Sequence, residues 1–155
     1  MKGWLEFTLW DEWGTETQAR MTEIFHGENL LQIILHAHIL MEQGLTARIK
    51  EKLAEPDVFK PGDWNFHKKA ILYMALYAPP DGARLGFNKL RNKIAHSFQD
   101  DIEASVTQCL PFETVYPPWA IGAAGRPDAY RQVTTMAVNL LFELGVVRGV
   151  RRTDI

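Results

Sequence analysis

The longest helical pattern in this chain of 155 residues lies in residues 30–45, which read LLQIILHAHILMEQGL. Apolar side chains recur there at spacings of three and four, which is typical of a helix with one buried face. The pattern predicts a helix over residues 28–55, with Gly44 as a candidate kink point. It is the longest of six helices that the sequence predicts.

The other helices are predicted from the same period and from turn residues. A short helix begins at Thr15 or Thr17, either of which can cap its free N–H groups. Residues 56–62 form a turn, and residues 111–125, which contain several prolines, are expected to be an irregular loop. The remaining predicted helices run from Asp63 or Trp64 to Ala78, over 83–98, over 100–110, and from Pro127 to Leu144. Hairpin signals are nearly absent, so we predict a single all-α domain over residues 1–155.

The composition is that of an ordinary globular domain, with 46% hydrophobic and 23% charged residues. The formal net charge of −2 argues against a protein that coats nucleic acid, but it leaves a small nucleic-acid site open. A single cysteine, Cys109, excludes an internal disulfide and a cysteine-based zinc cluster. No segment has the pattern of an export signal or a membrane span, so we expect a cytoplasmic protein without a membrane partner.

Most of the candidate chemistry lies in residues 87–98, which read FNKLRNKIAHSF. On a helical wheel, one apolar face is formed by Phe87, Leu90, Ile94 and Phe98. Arg91 falls inside that arc, and Asn92 and His96 lie along a neighbouring edge. A guanidinium stays charged and is costly to desolvate alone, so Arg91 needs an anion or a partly wet cleft.

The charges around this segment favour an anionic ligand. Between Asp81 and Asp100 the chain has no acidic residue and four cations, namely Arg84, Lys89, Arg91 and Lys93. A local positive charge of this kind would suit a phosphate group, although the whole chain is acidic.

The run from Leu90 to Phe98 resembles the signature of the HEPN superfamily, in which a polar residue follows an arginine and a histidine comes after four to six intervening residues. Four residues lie between Arg91 and His96. The order of helices over residues 28–98 is similar as well, and the motif-bearing core covers about 28–110. The resemblance implies a HEPN-like helical bundle that forms a two-fold dimer with its motif helices facing each other. An apolar arc too wide for a surface helix also predicts a homodimer.

For function, the resemblance implies a metal-independent endoribonuclease in which Arg91 and His96 are catalytic. Asn92 and Glu42 are expected to support them. A histidine can transfer protons near neutral pH, and an arginine can grip phosphate oxygens and stabilise their charge. We therefore expect RNA as substrate, a second copy of the chain as partner, and no metal or other cofactor. A toxin–antitoxin or phage-defence setting, with an antitoxin or regulatory protein as a further partner, fits this family.

One position departs from a branch of the family. That branch has a tyrosine, a target of modification, two residues after the histidine, where this chain has Phe98. Control by modification at this position is therefore not expected.

Other interpretations remain open. The chain could be a non-catalytic HEPN module that binds a nucleotide or a protein partner. Arg91 could form a structural ion pair with Glu42, and His38 and Glu42 have the spacing of zinc ligands, although no third ligand is evident. A solvated, frayed tail is expected for Arg148, Arg151 and Arg152, and a docked N-terminal arm for Trp4, Trp10 and Trp13.

Overall fold

The computed structural model describes residues 5–27, 29–79, 83–96, 101–110 and 128–152. Within these residues the elements in chain order are β1 (Leu5–Leu9), α1 (Thr15–His26), α2 (Leu30–Lys52), α3 (Phe66–Tyr77), α4 (Ala83–His96), α5 (Ile102–Cys109), α6 (Ala129–Glu143) and β2 (Val147–Arg152). Short 3₁₀ turns occupy Asp11–Trp13, Pro56–Val58 and Pro61–Asp63. The predicted mostly helical chain is confirmed, whereas the two strands are an addition to the prediction. Phe98, the predicted 111–125 loop and Pro127 lie outside the described residues.

Several helices begin at a capping side chain. Three caps accept a hydrogen bond from the backbone N–H three residues later: Asn29, Asn65 and Asp128. The helix α1 differs, because its N-cap is Gly14 and no side chain caps it. The expected cap at Thr15 or Thr17 is therefore wrong. Gly14 has a φ of +80°, a conformation that glycine adopts without strain.

The long helix α2 is the centre of the domain and contacts α1, α3, α4 and α6. Its core face is apolar and includes Ile33, Ile34, Ala37, Met41, Leu45 and Ile49. Gly44 lies within α2 and causes no break in it. A Cβ there would lie 3.0 Å from side-chain atoms of Leu144 and Val146, so Gly44 allows the turn after α6 to pack closely on α2.

The strands β1 and β2 form a two-stranded antiparallel sheet, with Leu5 opposite Arg152 and Leu9 opposite Val147. Phe7 and Leu9 point into the core, and the Phe7 ring packs edge-on against Phe25 at 5.2 Å between centroids. The alternation of apolar and polar residues in LEFTL is the period expected of a half-buried strand. The sheet packs against α1 through β1 and against α6 through β2.

The expected frayed tail is wrong, because Arg148, Arg151 and Arg152 lie in β2. The side chain of Arg151 pairs with Glu6 on the opposite strand. The Arg148 guanidinium lies 5.3 Å from the centroid of the Trp10 ring, within cation–π distance. The segment is ordered because its backbone pairs with β1 and Val147 is fully buried beneath it.

The docked-arm prediction is confirmed for two of the three tryptophans. Trp13 Nε1 donates a hydrogen bond to Gly145 O at 3.1 Å, and Trp10 N donates to Val146 O at 3.2 Å. Trp4 lies outside the described residues. The N-terminal arm is thus attached to the turn between α6 and β2.

Gly86 lies where α4 passes α5. A Cβ at this position would lie 2.6 Å from Cys109 O, closer than side chains approach a carbonyl. We expect Gly86→Ala to lower the free energy of unfolding by about 1–3 kcal/mol through overpacking, even though alanine is the better helix former. Chemical denaturation measures the change.

The control is Gly149→Ala in β2, where a Cβ would meet nothing within 4 Å. It should change stability by less than about 1 kcal/mol. A Gly86→Ala variant as stable as the wild type would contradict the close approach of α4 and α5.

Candidate functional site

The C-terminal half of α4 carries the three residues of the predicted motif. Arg91 is half-buried, whereas Asn92 and His96 are exposed. Arg91 Nη1 donates a hydrogen bond to Asn92 Oδ1 at 3.3 Å. No described residue hydrogen-bonds the His96 ring, so solvent reaches both the imidazole and part of the guanidinium.

The apolar arc of α4 is covered within one chain. Phe87 and Leu90 are fully buried, and α4 packs against α2, α3, α5 and α6. Ile94 is half-buried against the same core. Neighbouring helices of the same chain cover Phe87 and Leu90, so the width of this arc does not by itself support an interface between two copies, and the homodimer stays a prediction.

Glu42 does not pair with Arg91. Its Oε1 lies 3.0 Å from Lys69 Nζ, and Lys69 is 4% exposed. Within the described ranges, no carboxylate forms a salt bridge with Arg91. Lys69, which belongs to α3, thus pairs with the carboxylate that was a candidate partner of Arg91. Glu42 can therefore support the site only indirectly.

His38 connects three helices at a point beside Arg91. Its ring stacks on Phe66 with centroids 4.2 Å apart and planes inclined by 25°. His38 Nε2 lies 3.2 Å from Asn88 Oδ1, and the ring N–H donates because an amide oxygen only accepts. The interpretation of His38 and Glu42 as a zinc pair loses support, since each has another partner. In the part of the chain that the structure describes, no group of three or more His, Cys, Asp or Glu side chains could hold a metal ion.

The pKa of His38 is lowered from its usual 6.5, chiefly because burial disfavours the charged ring. The hydrogen bond to Asn88 acts in the opposite direction, as does the charge of Glu42, while Arg91 lowers the pKa further. The balance favours a neutral ring near pH 7.

A second polar cluster fixes the other end of α4. Arg84 is fully buried, and its Nη2 donates to both carboxylate oxygens of Glu143 at 2.8 Å. Tyr73 OH donates to Glu143 Oε1 at 3.1 Å, and burial together with Glu143 raises the pKa of Tyr73 to about 12. Sequence analysis missed this cluster. A helical wheel does place Arg84 near Phe87, but nothing in the sequence connects it to Glu143, which lies 59 residues away.

The four cations of α4 differ in whether a carboxylate balances their charge. The buried guanidinium of Arg84 is paired with Glu143, which leaves Lys89, Arg91 and Lys93 as the cations of the outer part of the helix. Lys93 Nζ donates to the side chain of Gln108 on α5, a neutral partner. The region around Arg91 therefore keeps an excess of positive charge that an anion can balance.

A groove of about 260 Å³ lies between α1 and α2, away from the motif. Arg20, His36 and Gln43 contribute polar groups to it, and Met21 and Leu40 form part of its apolar wall. It contains none of the motif residues of α4.

In comparisons with protein-family models, curated proteins and solved structures, nothing matches this chain. None of the helices in the described residues combines the length and the apolar character that a bilayer crossing requires.

Arg84 offers a direct test of the buried cluster. Arg84 is fully buried whereas the Glu143 side chain is 27% exposed, so Arg84→Ala leaves a cavity in the core and a carboxylate that water can reach. The loss of the buried side chain should cost about 2–5 kcal/mol in the free energy of unfolding. The matched control is Arg151→Ala, which breaks the exposed pair with Glu6 and should cost less than about 1 kcal/mol. Denaturant titration of both variants measures the contrast, and equal losses would contradict the burial of Arg84.

His38 offers a test by pH. Because its folded pKa is lowered, the unfolded chain binds the proton more readily, so stability is highest above pH 6.5 and falls as the pH drops toward the folded pKa. His38→Gln should reduce the decrease in melting temperature that the wild type shows between about pH 7 and pH 5. This holds whether or not the variant changes the melting temperature at pH 7 itself. His67→Gln, which removes an exposed imidazole on α3, should keep the wild-type slope. Parallel slopes for all three proteins would argue that His38 is solvated.

Proposed function

We propose that this chain is a metal-independent endoribonuclease of the HEPN type, with Arg91 and His96 as catalytic residues and Asn92 as their support. The observation that carries the proposal is the state of Arg91. Its guanidinium is half-buried and held by the neutral side chain of Asn92, while the nearby carboxylate of Glu42 is paired with Lys69. An arginine held in this way can still bind a phosphate bidentately.

The surrounding charges support an RNA ligand. Neither α3 nor α4 contains an acidic residue, although the chain as a whole has a net charge of −2. Lys89 is exposed and Lys93 is bonded to a neutral amide, so both add to the positive potential around Arg91. A phosphodiester backbone is therefore attracted to this side of the domain.

The proposed reaction uses the 2′-hydroxyl of RNA as nucleophile. The 2′-oxygen loses its proton and attacks phosphorus, the bond from phosphorus to the 5′-oxygen breaks, and that leaving oxygen takes a proton. Arg91 would stabilise the charge on the non-bridging oxygens, and His96 would perform one of the two proton transfers. The products are a 2′,3′-cyclic phosphate and a 5′-hydroxyl.

A homodimer is part of this proposal on chemical grounds. Each chain contributes one motif histidine, His96, and two proton transfers are needed. A symmetric pair of chains with adjoining α4 ends would bring two imidazoles to one phosphate. A cytoplasmic toxin or phage-defence role, with an antitoxin or other regulatory partner, fits such an enzyme and belongs to the same proposal.

The second candidate is a non-catalytic module that binds a nucleotide or a protein partner. The groove between α1 and α2 favours it, because Arg20 and His36 lie beside an apolar wall there. Ligand sites commonly combine an apolar surface with a few polar groups. This candidate predicts nucleotide or protein binding that survives the loss of His96.

His96→Ala tests the nuclease directly. Because the ring is exposed, its loss should change the free energy of unfolding by no more than about 0.5 kcal/mol. Cleavage of single-stranded RNA should fall by at least about 10²-fold, since no other described group is positioned to replace the imidazole. Melting temperature and cleavage rate are measured on the same preparations, with EDTA present throughout.

The wild type should yield cyclic phosphate or 3′-phosphate ends and behave as a dimer by light scattering at micromolar concentration. Asn139→Ala, an exposed change on α6, is the matched control and should cut RNA at the wild-type rate. If the folded His96→Ala variant cuts as fast as the wild type, or if the wild type cuts nothing across a broad RNA panel, the nuclease proposal fails and the binding module replaces it.

A further inference from the structure

We propose that His38 is a positioning residue of the Arg91 site, one that holds the turn of α4 carrying Arg91 and takes up a proton when a phosphate group binds there. This inference rests on the proposed function and assigns His38 a part in it. The resemblance that points to Arg91 and His96 gives no role to His38, which lies on another helix. The contacts and charges around its ring point to this role.

The ring of His38 is held from two sides by different helices. Phe66, the first residue of α3, stacks on one of its faces, and Asn88 of α4 bonds its Nε2. With 7% exposure, the residue has little room to move. Since His38 itself belongs to α2, one side chain joins the three helices that surround the Arg91 site.

The bond to Asn88 acts on the part of α4 that carries the motif. Asn88 precedes Arg91 by three residues, so the two side chains lie about one helical turn apart on neighbouring positions of one face. A change in the contact between His38 and Asn88 therefore moves the turn from which Arg91 and Asn92 project. His38 acts through α4, which makes it a positioning residue and not a catalytic one.

Among the described residues, two charged groups act on His38, Glu42 from α2 itself and Arg91 from α4. Lys69 of α3 is the partner of Glu42. Glu42 and Lys69 pair with each other at 3.0 Å, so their charges largely cancel. Arg91 remains as the charge that opposes protonation of the ring.

An anion bound to Arg91 would reverse this balance. A phosphate offsets the guanidinium charge, so the cost of a second positive charge on His38 falls. Binding and protonation are then linked, and each favours the other to the same extent. Phosphate ligands should bind more tightly as the pH falls through the titration range of His38.

The experiment follows the His38 ring by NMR in the full chain labelled at histidine, with assignment from the His38→Gln variant. The probe is a DNA oligonucleotide, which offers phosphodiesters without a 2′-hydroxyl and cannot be cleaved by the proposed reaction. In the free protein, Arg91→Gln should raise the pKa of His38, because it removes the repelling charge. In the wild type, the oligonucleotide should raise that pKa as well, and in Arg91→Gln it should have no further effect.

Measurements of oligonucleotide affinity and of kcat distinguish a positioning role of His38 from a merely structural one. Arg91→Gln should weaken oligonucleotide binding by at least about tenfold, the loss of one charge-assisted hydrogen bond. His38→Gln keeps an N–H donor for Asn88, so it should retain most of the wild-type kcat but lose the part of the pH dependence of binding that comes from His38. His38→Ala should lower kcat, and His67→Gln should alter neither quantity.

An unchanged His38 pKa in Arg91→Gln would overturn the inference, as would an oligonucleotide effect that persists in that variant. Neither result depends on whether RNA is cut. If the linkage is observed and the wild type cuts no RNA, the His38 inference is supported for a phosphate-binding site while the nuclease proposal fails.

Discussion

A buried guanidinium paired with a carboxylate of another helix sets the position of α4, and the candidate site depends on that position. Arg84 is fully buried and bonds both oxygens of Glu143 on α6, which offsets the cost of removing its charge from water only while the geometry is kept. Arg91 follows Arg84 by seven residues, so the two lie within about 20° of each other around the helix. A shift of one residue in register would turn the motif residues of α4 by about 100° relative to His38 on α2. The pair of Arg84 and Glu143 therefore helps to determine where the motif reaches the surface.

The helices could be predicted from the sequence because their signals are local. The apolar period of α2 lies within the helix that it defines. The sheet could not be predicted in this way, because β1 and β2 come from opposite ends of the described chain and no hairpin turn joins them. The alternating LEFTL of β1 is a correct strand signal, but five residues of alternation carry little weight without a partner nearby.

In the candidate site, too, features within one helix could be predicted from the sequence, whereas contacts between helices could not. The motif gave the identities of Arg91, Asn92 and His96 and their place on one helix, and these remain the residues of the proposal. The contacts of the neighbouring side chains depend on packing between helices. Lys69 forms a salt bridge with Glu42, and His38 forms a hydrogen bond with Asn88. Which charges are neutralised in the core and which remain at the surface is therefore decided by contacts between residues far apart in sequence.

The pairing of β1 with β2 has a consequence for how the chain folds. Residues 9 and 147 come together only when the intervening helices have brought the two strands to the same end of the domain. The entropy of closing so long a loop is lost before any strand hydrogen bond is gained, whereas the helices can form from near neighbours. The sheet should thus form late, after the helices have assembled. Until then Phe7 and Val147 remain available to other chains, and this interval is the period in which the protein is most prone to aggregate.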